Sequence, residues 1–451
     1  MRSRFFMLLP LTLSISLAAQ ANSLPEAIQQ ALEMHPEVQA EIHGRMAADR
    51  QLRAAKGRYL PTVSLSAGYG REGTDSPTTR AGSDDHWRTL TRGESSLQVR
   101  QRVFDGFATQ REVGRLEATV NSRAFGVLSL SERTALTVTE VYLDVLKREE
   151  RVALAEDNLR NHERIYDQIS MRQSRGVGRM ADLDQAEARL ALSRNNLITE
   201  RTNLDDARVN YYSVVGAAPV SLTLPEGQAM LLPENLEAAK QALLQQSPVL
   251  GSAHADITAT EMQYDAAKSA LYSPTFDLEL ARAANNNIDG QRGHVNEWQI
   301  MLRMNYNLYS GGADKANLEA RAFEVNQAMD IRNNALRVLN EELELSWNAL
   351  NNAREQLPNA QRYVDYSTRV REGYQQQFSI GERTLLDMLD SENELLAARQ
   401  RFQDVLYTEL FTQYRIKAVM GELLKSQGVV APMAAVVSND VRPQVELPGL
   451  N

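Results

Sequence analysis

Two carboxylates, Asp387 and Asp390, have the type and spacing that ion chemistry needs. They stand three residues apart, just after the segment GERT at 381–384, so a helix that begins there carries both on one face. Such a pair binds cations where several copies of a chain meet on one axis. The alternative is that both acids are merely solvated, because the helix dipole favours negative charge near an N-terminus.

An arginine in the same segment is placed to pair with an acid from the first half of the chain. Arg383 lies in the GERT segment, and Asp184 follows a glycine, Gly178, at the corresponding place in the first half. A charge-assisted hydrogen bond from Arg383 to Asp184 or a neighbouring acid would hold two turns together. One exposed pair contributes only about 0–1 kcal/mol, so a gate built this way needs several copies. Gly178 and Gly381 each permit the positive φ of a tight turn.

The motifs of catalysis and of metal binding are absent from the sequence. It contains no G-x-S-x-G, H-E-x-x-H or P-loop segment, and its six histidines are scattered. It has no cysteine, which excludes disulfides, thiolate metal sites and cysteine nucleophiles. A net charge of −9 argues against binding to nucleic acid. We therefore expect no enzymatic activity, no cofactor and no metal site.

The N-terminus has the pattern of a secretory signal peptide, which we assign to residues 1–21. Arg2 and Arg4 precede an apolar stretch at 5–17, and Ala-Gln-Ala at 19–21 forms the cleavage site. The mean hydropathy is −0.41, and no later run of 18 apolar residues occurs. The pattern indicates a bacterial envelope protein that is stabilised by packing.

The chain repeats itself. The segments AIQQALEMHPEV at 27–38 and AAKQALLQQSPV at 238–249 match, and three further pairs of segments follow in the same order. This duplication predicts a first repeat at 22–215, a linker at 216–233, a second repeat at 234–424 and an irregular tail at 425–451.

Each repeat contains two segments in which apolar and polar residues alternate. We predict strands at about 62–73, 93–104, 275–285 and 294–308. Alternation over about ten residues is typical of a transmembrane barrel, whereas any single strand of this kind also fits a half-buried soluble sheet. The aromatic residues expected at one end of the strands, as in an interfacial girdle, are Tyr59, Phe104, Phe107, Tyr272 and Tyr309.

The rest of the sequence follows the seven-residue pattern of coiled coils. Two predicted helices, at 106–175 and 312–378, are each about 70 residues long and would reach about 100 Å. The shorter helices predicted at 24–56, 179–215, 234–270 and 382–424 have about half that length. Pro358 should kink or break the second long helix.

Four strands are too few for a barrel in one chain, because single-chain barrels have at least about eight. An open edge in lipid leaves backbone groups unsatisfied, so the chain must oligomerise, as a trimer with twelve strands or a dimer with eight. The pattern thus predicts a barrel that continues into a hollow helical tube.

The order helix–strand–strand–helix–helix, repeated twice, resembles the TolC family of outer-membrane efflux and secretion channels. The most specific segments are VGRMADLD at 177–184 and IGERTLLDMLDSENELLAAR at 380–399. The second segment is similar to those of the type I secretion subgroup, including LapE-like exporters of giant adhesins. The resemblance implies a mainly α fold with a small transmembrane β part. In such a fold, a homotrimeric 12-stranded β-barrel continues as a periplasmic α-helical coiled-coil barrel.

The resemblance also assigns roles to residues at the two inter-helix turns, expected at about 176–181 and 378–383. A closed aperture is implied for Asp184, Phe378 and Arg383, although the family most often has tyrosine where Phe378 stands. An acidic constriction is implied for Asp387 and Asp390. The turns implied to dock an adaptor comprise Val177, Gly178, Arg179, Ile380, Gly381 and Glu382.

The function implied is that of an outer-membrane exit channel with a large periplasmic extension. Its partners would be two further copies of the chain, outer-membrane lipid, a periplasmic membrane-fusion adaptor, an inner-membrane ABC transporter and an exported protein substrate. One alternative is the outer channel of a proton-driven multidrug efflux pump. Another is a periplasmic coiled-coil scaffold, which would not need the alternating strands.

Overall fold

The computed structural model describes residues 23–81, 86–225 and 232–437, so the signal peptide expected at 1–21 lies outside the described residues. The chain is mainly α-helical and has one four-stranded sheet. In chain order the elements are α1 (Leu24–Met34), α2 (Pro36–Lys56), β1 (Thr62–Thr74), α3 (Pro77–Arg80), β2 (Arg88–Phe104), α4 (Ala108–Ser174), α5 (Met180–Val215), α6 (Leu236–Gln246), α7 (Pro248–Tyr272), β3 (Thr275–Asn286), β4 (His294–Asn305), α8 (Ala313–Ser379), α9 (Leu385–Met420) and α10 (Leu423–Ser426).

The two long helices, α4 and α8, have 67 residues each and extend over about 100 Å. Glycines mark the ends of several helices. Gly106 has a φ of +66°, and a Cβ there would lie 2.5 Å from Cβ of Ser273, so only glycine fits before α4. Gly216 and Gly421 end α5 and α9 in the left-handed conformation.

Pro358 does not break α8, contrary to the stronger form of the sequence prediction. The helix is continuous from Ala313 to Ser379 with Pro358 inside it. Proline removes one hydrogen bond of the helix ladder, but Leu350, Ala353 and Ala360 are buried on either side of it. Packing of these flanking turns holds the helix together.

Helices from both repeats share the largest apolar core. Residues of α1, α4, α5 and α9 meet there, with Tyr142 and Tyr211 among the largest fully buried side chains. The Tyr142 hydroxyl donates to the Thr223 carbonyl at 2.7 Å and fixes part of the segment between the repeats. Within the described part of the expected tail, Val429 and Ala431 pack against the same core. The core therefore joins the two repeats into one body.

The four strands form an antiparallel sheet in the order β1-β2-β3-β4. The central pair joins the repeats, for example where Val99 faces Leu280. Strand β2 begins at Arg88, earlier than the expected position near 93. Residues 88–92 pair with 70–74 in the first hairpin, but apolar and polar residues do not alternate there, so the pattern did not reveal this part of the strand. The prediction of a mainly helical, duplicated chain with a small antiparallel sheet is confirmed.

Candidate functional site

One face of the sheet is apolar and exposed. Leu65 and Tyr69 on β1 are 76% and 87% exposed, and Trp298 on β4 is 77% exposed. Further exposed apolar residues on β4 are Ile300, Leu302 and Met304. A face of this kind is stable only against lipid or another apolar surface.

The opposite face carries polar and charged residues, which pair across strands. Asp277 on β3 accepts hydrogen bonds from Arg100 at 2.7 Å and Arg102 at 2.8 Å on β2. Glu279 accepts from Arg303 on β4 at 2.5 Å. These pairs satisfy one another, so the face is suited to line a water-filled lumen.

The sheet also has two edges, β1 and β4, that no strand covers within the described residues. Each edge has a row of backbone donors and acceptors, and these must pair with another chain if the strands lie in lipid. The first and last strands of the sheet are thus the places where copies of this chain would join.

In the described segments, no helix combines the length and the apolar character needed to span a bilayer. The same segments contain no group of three or more His, Asp or Glu side chains arranged to hold a metal ion.

The first inter-helix turn, between α4 and α5, folds back on the end of α4. The N–H groups of Val177 and Gly178 both donate to the Arg172 carbonyl, at 3.0 and 3.1 Å. A Cβ on Gly178 would lie 2.8 Å from the Gln173 nitrogen, so the close approach requires glycine. Val177 is consequently presented to solvent with 82% of its surface exposed.

The second turn, between α8 and α9, uses different contacts. Gly381 has a φ of +86°, and the Glu382 N–H donates to the Gln377 carbonyl at 2.9 Å. Thr384 caps α9 by accepting from the Asp387 N–H at 3.3 Å. Ile380 is 70% exposed, so each turn presents one apolar side chain at its outermost point.

The three residues expected at the aperture are not brought together within one chain. Arg383 donates to Gln377 Oε1 at 2.8 Å, and its guanidinium lies 4.4 Å from the ring centroid of Tyr374. Asp184 is exposed and forms no ion pair among the described residues. Phe378 is only 6% exposed and packs in a small core at the tip of the helices. Within the described residues, Arg383 is thus engaged by Gln377, Tyr374 and Asp387 and not by Asp184.

The acidic pair is partly neutralised by its own chain. Asp390 accepts from Arg189 on α5 at 3.2 Å. Asp387 accepts from the Thr384 hydroxyl at 2.8 Å and lies 3.7 Å from the Arg383 guanidinium. Both side chains remain partly exposed, so they keep access to ions.

Sequence reasoning missed Arg189 and Tyr374, although both lie near the motifs. Arg189 lies in the repeated block at 178–190, which matches the block that contains Asp390. This match could have indicated that the two residues lie at corresponding places near the tip. Tyr374 lies four residues before Phe378, so it occupies the same helix face one turn earlier. No sequence pattern indicates that Arg189 contacts Asp390 or that Tyr374 contacts Arg383.

A buried polar cluster above the tip was also missed. Asn161 on α4 donates to Glu392 on α9 at 3.0 Å, and Arg371 on α8 lies 3.8 Å from Glu392. His162 is 2% exposed, and burial together with the Arg189 guanidinium lowers its pKa below the ordinary value. The cluster ties all four tip helices together.

Comparison with known proteins places these features in a family. Residues 27–217 and 239–422 match the family model described as outer membrane efflux protein. Among curated proteins, the chain is 24% identical to the outer membrane efflux protein BepC of Brucella suis, over 91% of this chain and 88% of that protein. It is 22% identical to the outer membrane protein TolC of Escherichia coli, over 92% and 86%. It is 25% identical to the alkaline protease secretion protein AprF of Pseudomonas aeruginosa, over 90% and 85%.

Solved structures share the same fold. The structure of CusC superposes with a TM-score of 0.78 at 16% identity and covers 88% of this chain and 91% of that one. The outer membrane protein VceC of Vibrio cholerae gives a TM-score of 0.74 at 14% identity, with coverage of 91% and 97%. The resemblance to the TolC family is therefore confirmed.

Proposed function

The chain belongs to the outer membrane efflux protein family, and from that premise we propose that it is the exit channel of a type I secretion system. It is an outer-membrane efflux or secretion channel whose helical part extends into the periplasm. The cargo would be a protein, delivered by an inner-membrane ABC transporter and a periplasmic adaptor. The name of AprF, a protease secretion protein aligned over 90% of this chain, supports protein cargo.

The observation that carries the proposal is the two-faced sheet with open edges. Its exposed apolar face, with Leu65 and Trp298, fits lipid, and its charged face, with Asp277, fits a water-filled lumen. Three copies would join β1 of one chain to β4 of the next and give a closed barrel of about twelve strands. The long helices would continue this lumen into the periplasm.

The inner end of the conduit is proposed to close at the two turns. Arg383 is exposed enough to reach Asp184 of a neighbouring chain, and Asp387 and Asp390 of three chains would ring the axis. Phe378 would support this gate from the core of the tip, where Arg172 lies over its ring at 4.8 Å, without lining the opening itself. The docking turns would be Val177, Gly178 and Arg179 in the first and Ile380, Gly381 and Glu382 in the second.

Two measurements test the channel. Mass determination of the purified protein in detergent should give a trimer, and planar-bilayer recording should show discrete conductance steps. A stable monomer would contradict the closure of the barrel. A trimer that never conducts would contradict the channel.

Cargo is tested in cells that lack this chain. Loss of a secreted polypeptide from the culture medium, restored by the gene, would support type I secretion, especially if the polypeptide cross-links to the channel during export. Increased drug susceptibility with unchanged secretion would instead support an efflux pump. The name of BepC, an efflux protein, is the observation that favours this second candidate.

A further inference from the structure

An arginine lies on the apolar face of the sheet. Arg282 on β3 is exposed and stands directly opposite Leu97 on β2 and Trp298 on β4. Directly opposite residues of an antiparallel pair project from the same face. Leu97 and Trp298 are both exposed apolar residues, so Arg282 projects from the face that fits lipid.

Arg282 lies where the apolar part of this face ends. Toward the helices, three successive pairs of opposite residues on β3 and β4 are apolar, namely Leu280 with Ile300, Leu278 with Leu302 and Phe276 with Met304. Away from the helices, the next pair on this face is Ala284 with Asn296. The strand covers about 20 Å from Phe276 to Arg282, and the apolar band of a transmembrane barrel is about 25 Å tall. Tryptophan is typical of the interface at the edge of this band, so Arg282, beside Trp298, lies level with lipid headgroups.

This edge of the band belongs to the outer leaflet. Helix α7 ends at Tyr272, just before β3 begins at Thr275, and α8 begins soon after β4 ends. Since the helical part extends into the periplasm, the loop at 287–293, at the opposite ends of both strands, faces the outside. The main lipid of the outer leaflet of bacterial outer membranes is a glycolipid whose headgroup carries phosphate groups. Arg282 is thus on the side of the membrane where these phosphates lie.

No acid of the sheet neutralises Arg282, which forms no ion pair among the described residues. The register places every acid of the four described strands on the opposite, charged face: Glu72, Glu94, Asp277, Glu279 and Glu297. The arginines of that charged face are paired, as Arg92 is with Glu72 at 2.8 Å and Arg303 with Glu279 at 2.5 Å. Lack of a carboxylate partner therefore distinguishes Arg282 from the arginines that face the lumen.

Assembly adds no acid to the apolar face. The edge strand β4 would join β1 of the next copy, and the residues of β1 on this face are Val63, Leu65, Ala67, Tyr69, Arg71 and Gly73. Arg71 is exposed and, like Arg282, forms no ion pair among the described residues. The strands of each chain thus present two arginines and no acid on their lipid-facing side. This positive charge is complementary to an anion from outside the protein.

We propose that Arg282 binds a phosphate group on the headgroup of an outer-leaflet glycolipid. The planar guanidinium matches two phosphate oxygens, and its long stem lets the charge stay at the interface while the acyl chains pack on Leu280 and Ile300. Trp298 would lie beside the headgroup. The inference goes beyond the channel function and rests on the placement of the strands in the membrane. Each chain of the assembly would hold one such lipid.

The test measures lipid binding to the full-length trimer by native mass spectrometry. Delipidated trimer in detergent is titrated with diphosphoryl lipid A, or with a synthetic lipid A in which hydroxyl groups replace both phosphates. We expect the phosphorylated lipid to bind about tenfold more tightly, because only this lipid can form the charge-assisted bonds to Arg282.

Substitution locates the site. Arg282→Gln should weaken binding of diphosphoryl lipid A about tenfold and leave binding of the dephosphorylated lipid unchanged. Arg282→Lys should have an intermediate effect, because lysine keeps the charge but loses the planar fork. The matched control is Arg332→Gln on the shaft of α8, where the arginine bonds only to Asn333. It changes the net charge equally and should leave lipid binding unchanged, and the mass of each variant verifies that the trimer assembles.

Equal affinity of the wild type for the two forms of lipid A would overturn the proposal, and so would unchanged binding by Arg282→Gln. Loss of binding in Arg71→Gln but not in Arg282→Gln would overturn the assignment to Arg282. Tighter binding of phosphatidylglycerol than of diphosphoryl lipid A would overturn the choice of a glycolipid. Failure of the proposed channel is read separately, as absence of conductance from the same wild-type trimer.

Discussion

Arg189 on α5 donates a hydrogen bond to Asp390 on α9 at 3.2 Å, across 201 residues of sequence. The two residues belong to different repeats, so the bond ties together the helices that lead away from the two tip turns. It also reduces the negative charge of the acidic pair. The affinity of this region for cations therefore depends on a residue of the first repeat.

Replacement of Arg189 by Gln should strengthen block of the channel by a trivalent cation. Asp390 then loses its ion pair, and an exposed pair is worth up to about 1 kcal/mol, so half-block should occur at about fivefold lower concentration. Asp387→Ala with Asp390→Ala should weaken block. Single-channel current measures both, with Arg332→Gln as the control. Unchanged block in both variants would mean that these acids are solvated helix-start charges.

Replacement of Arg383 by Ser should raise single-channel conductance. The change removes the hydrogen bond to Gln377 and the contact with the Tyr374 ring. It also removes the guanidinium group that is proposed to bridge neighbouring chains. The stability loss should be about 1 kcal/mol or less per chain, because the side chain is exposed. Trimer yield and thermal melting should stay close to wild type. A conductance equal to that of Arg332→Ser would place the narrowest point elsewhere.

Replacement of Gly178 by Ala should disturb the first turn alone. The added Cβ would meet the backbone of Gln173 at 2.8 Å, so the bonds from Val177 and Gly178 to Arg172 would weaken. Hydrogen exchange of these N–H groups should accelerate at least about tenfold, which corresponds to about 1.4 kcal/mol. The control is Gly44→Ala on α2, where nothing lies within 4 Å and alanine should stabilise by up to about 1 kcal/mol. Unchanged exchange at Gly178 would show that the turn tolerates a side chain.

The strands and long helices could be predicted because each has a single dominant environment. Leu65 and Trp298 alternate with polar residues because one sheet face is apolar and the other charged. The heptads of α4 and α8 follow from packing against the helices that fold back beside them, α5 and α9. Of the kink or break expected at Pro358, the break does not occur, because a single missing hydrogen bond is weaker than the packing of a 67-residue helix.

The side-chain partners at the tip could not be predicted from spacing. Arg383 has several acids within a few residues in sequence, and which one it meets depends on how α8 and α9 pack. The family resemblance implies an aperture role for Phe378, and spacing alone did not show that its side chain packs into the core with Ile169 and Leu389. Whether a side chain faces the core or the opening depends on how its helix is rotated about its own axis. The spacing of residues in the sequence does not determine that rotation.

Glu132 on α4 is a buried acid that joins the two repeats. It is 4% exposed, and its carboxylate accepts hydrogen bonds from the N–H groups of Leu423 at 2.9 Å and Leu424 at 3.3 Å. Burial raises the pKa of Glu132 to about 7, and the nearby Glu422 adds to this effect. The folded chain therefore binds a proton that the unfolded chain releases near its ordinary pKa of 4.5. This contribution is fully present below pH 4.5 and is lost as the pH rises through about 7.

Replacement of Glu132 by Gln should remove that pH dependence, because the amide keeps an acceptor oxygen and cannot ionise. Relative to wild type, the variant should be more stable at pH 8 by at most about 3 kcal/mol and similar at pH 4.5. Glu132→Ala should be less stable at both values, since two buried N–H groups lose their acceptor at about 1–3 kcal/mol each. Circular dichroism melting at a fixed scan rate measures the differences, with the exposed Glu140→Gln as the control. A constant difference between Glu132→Gln and wild type from pH 4.5 to 8 would show that Glu132 is ionised throughout and acts only as an acceptor.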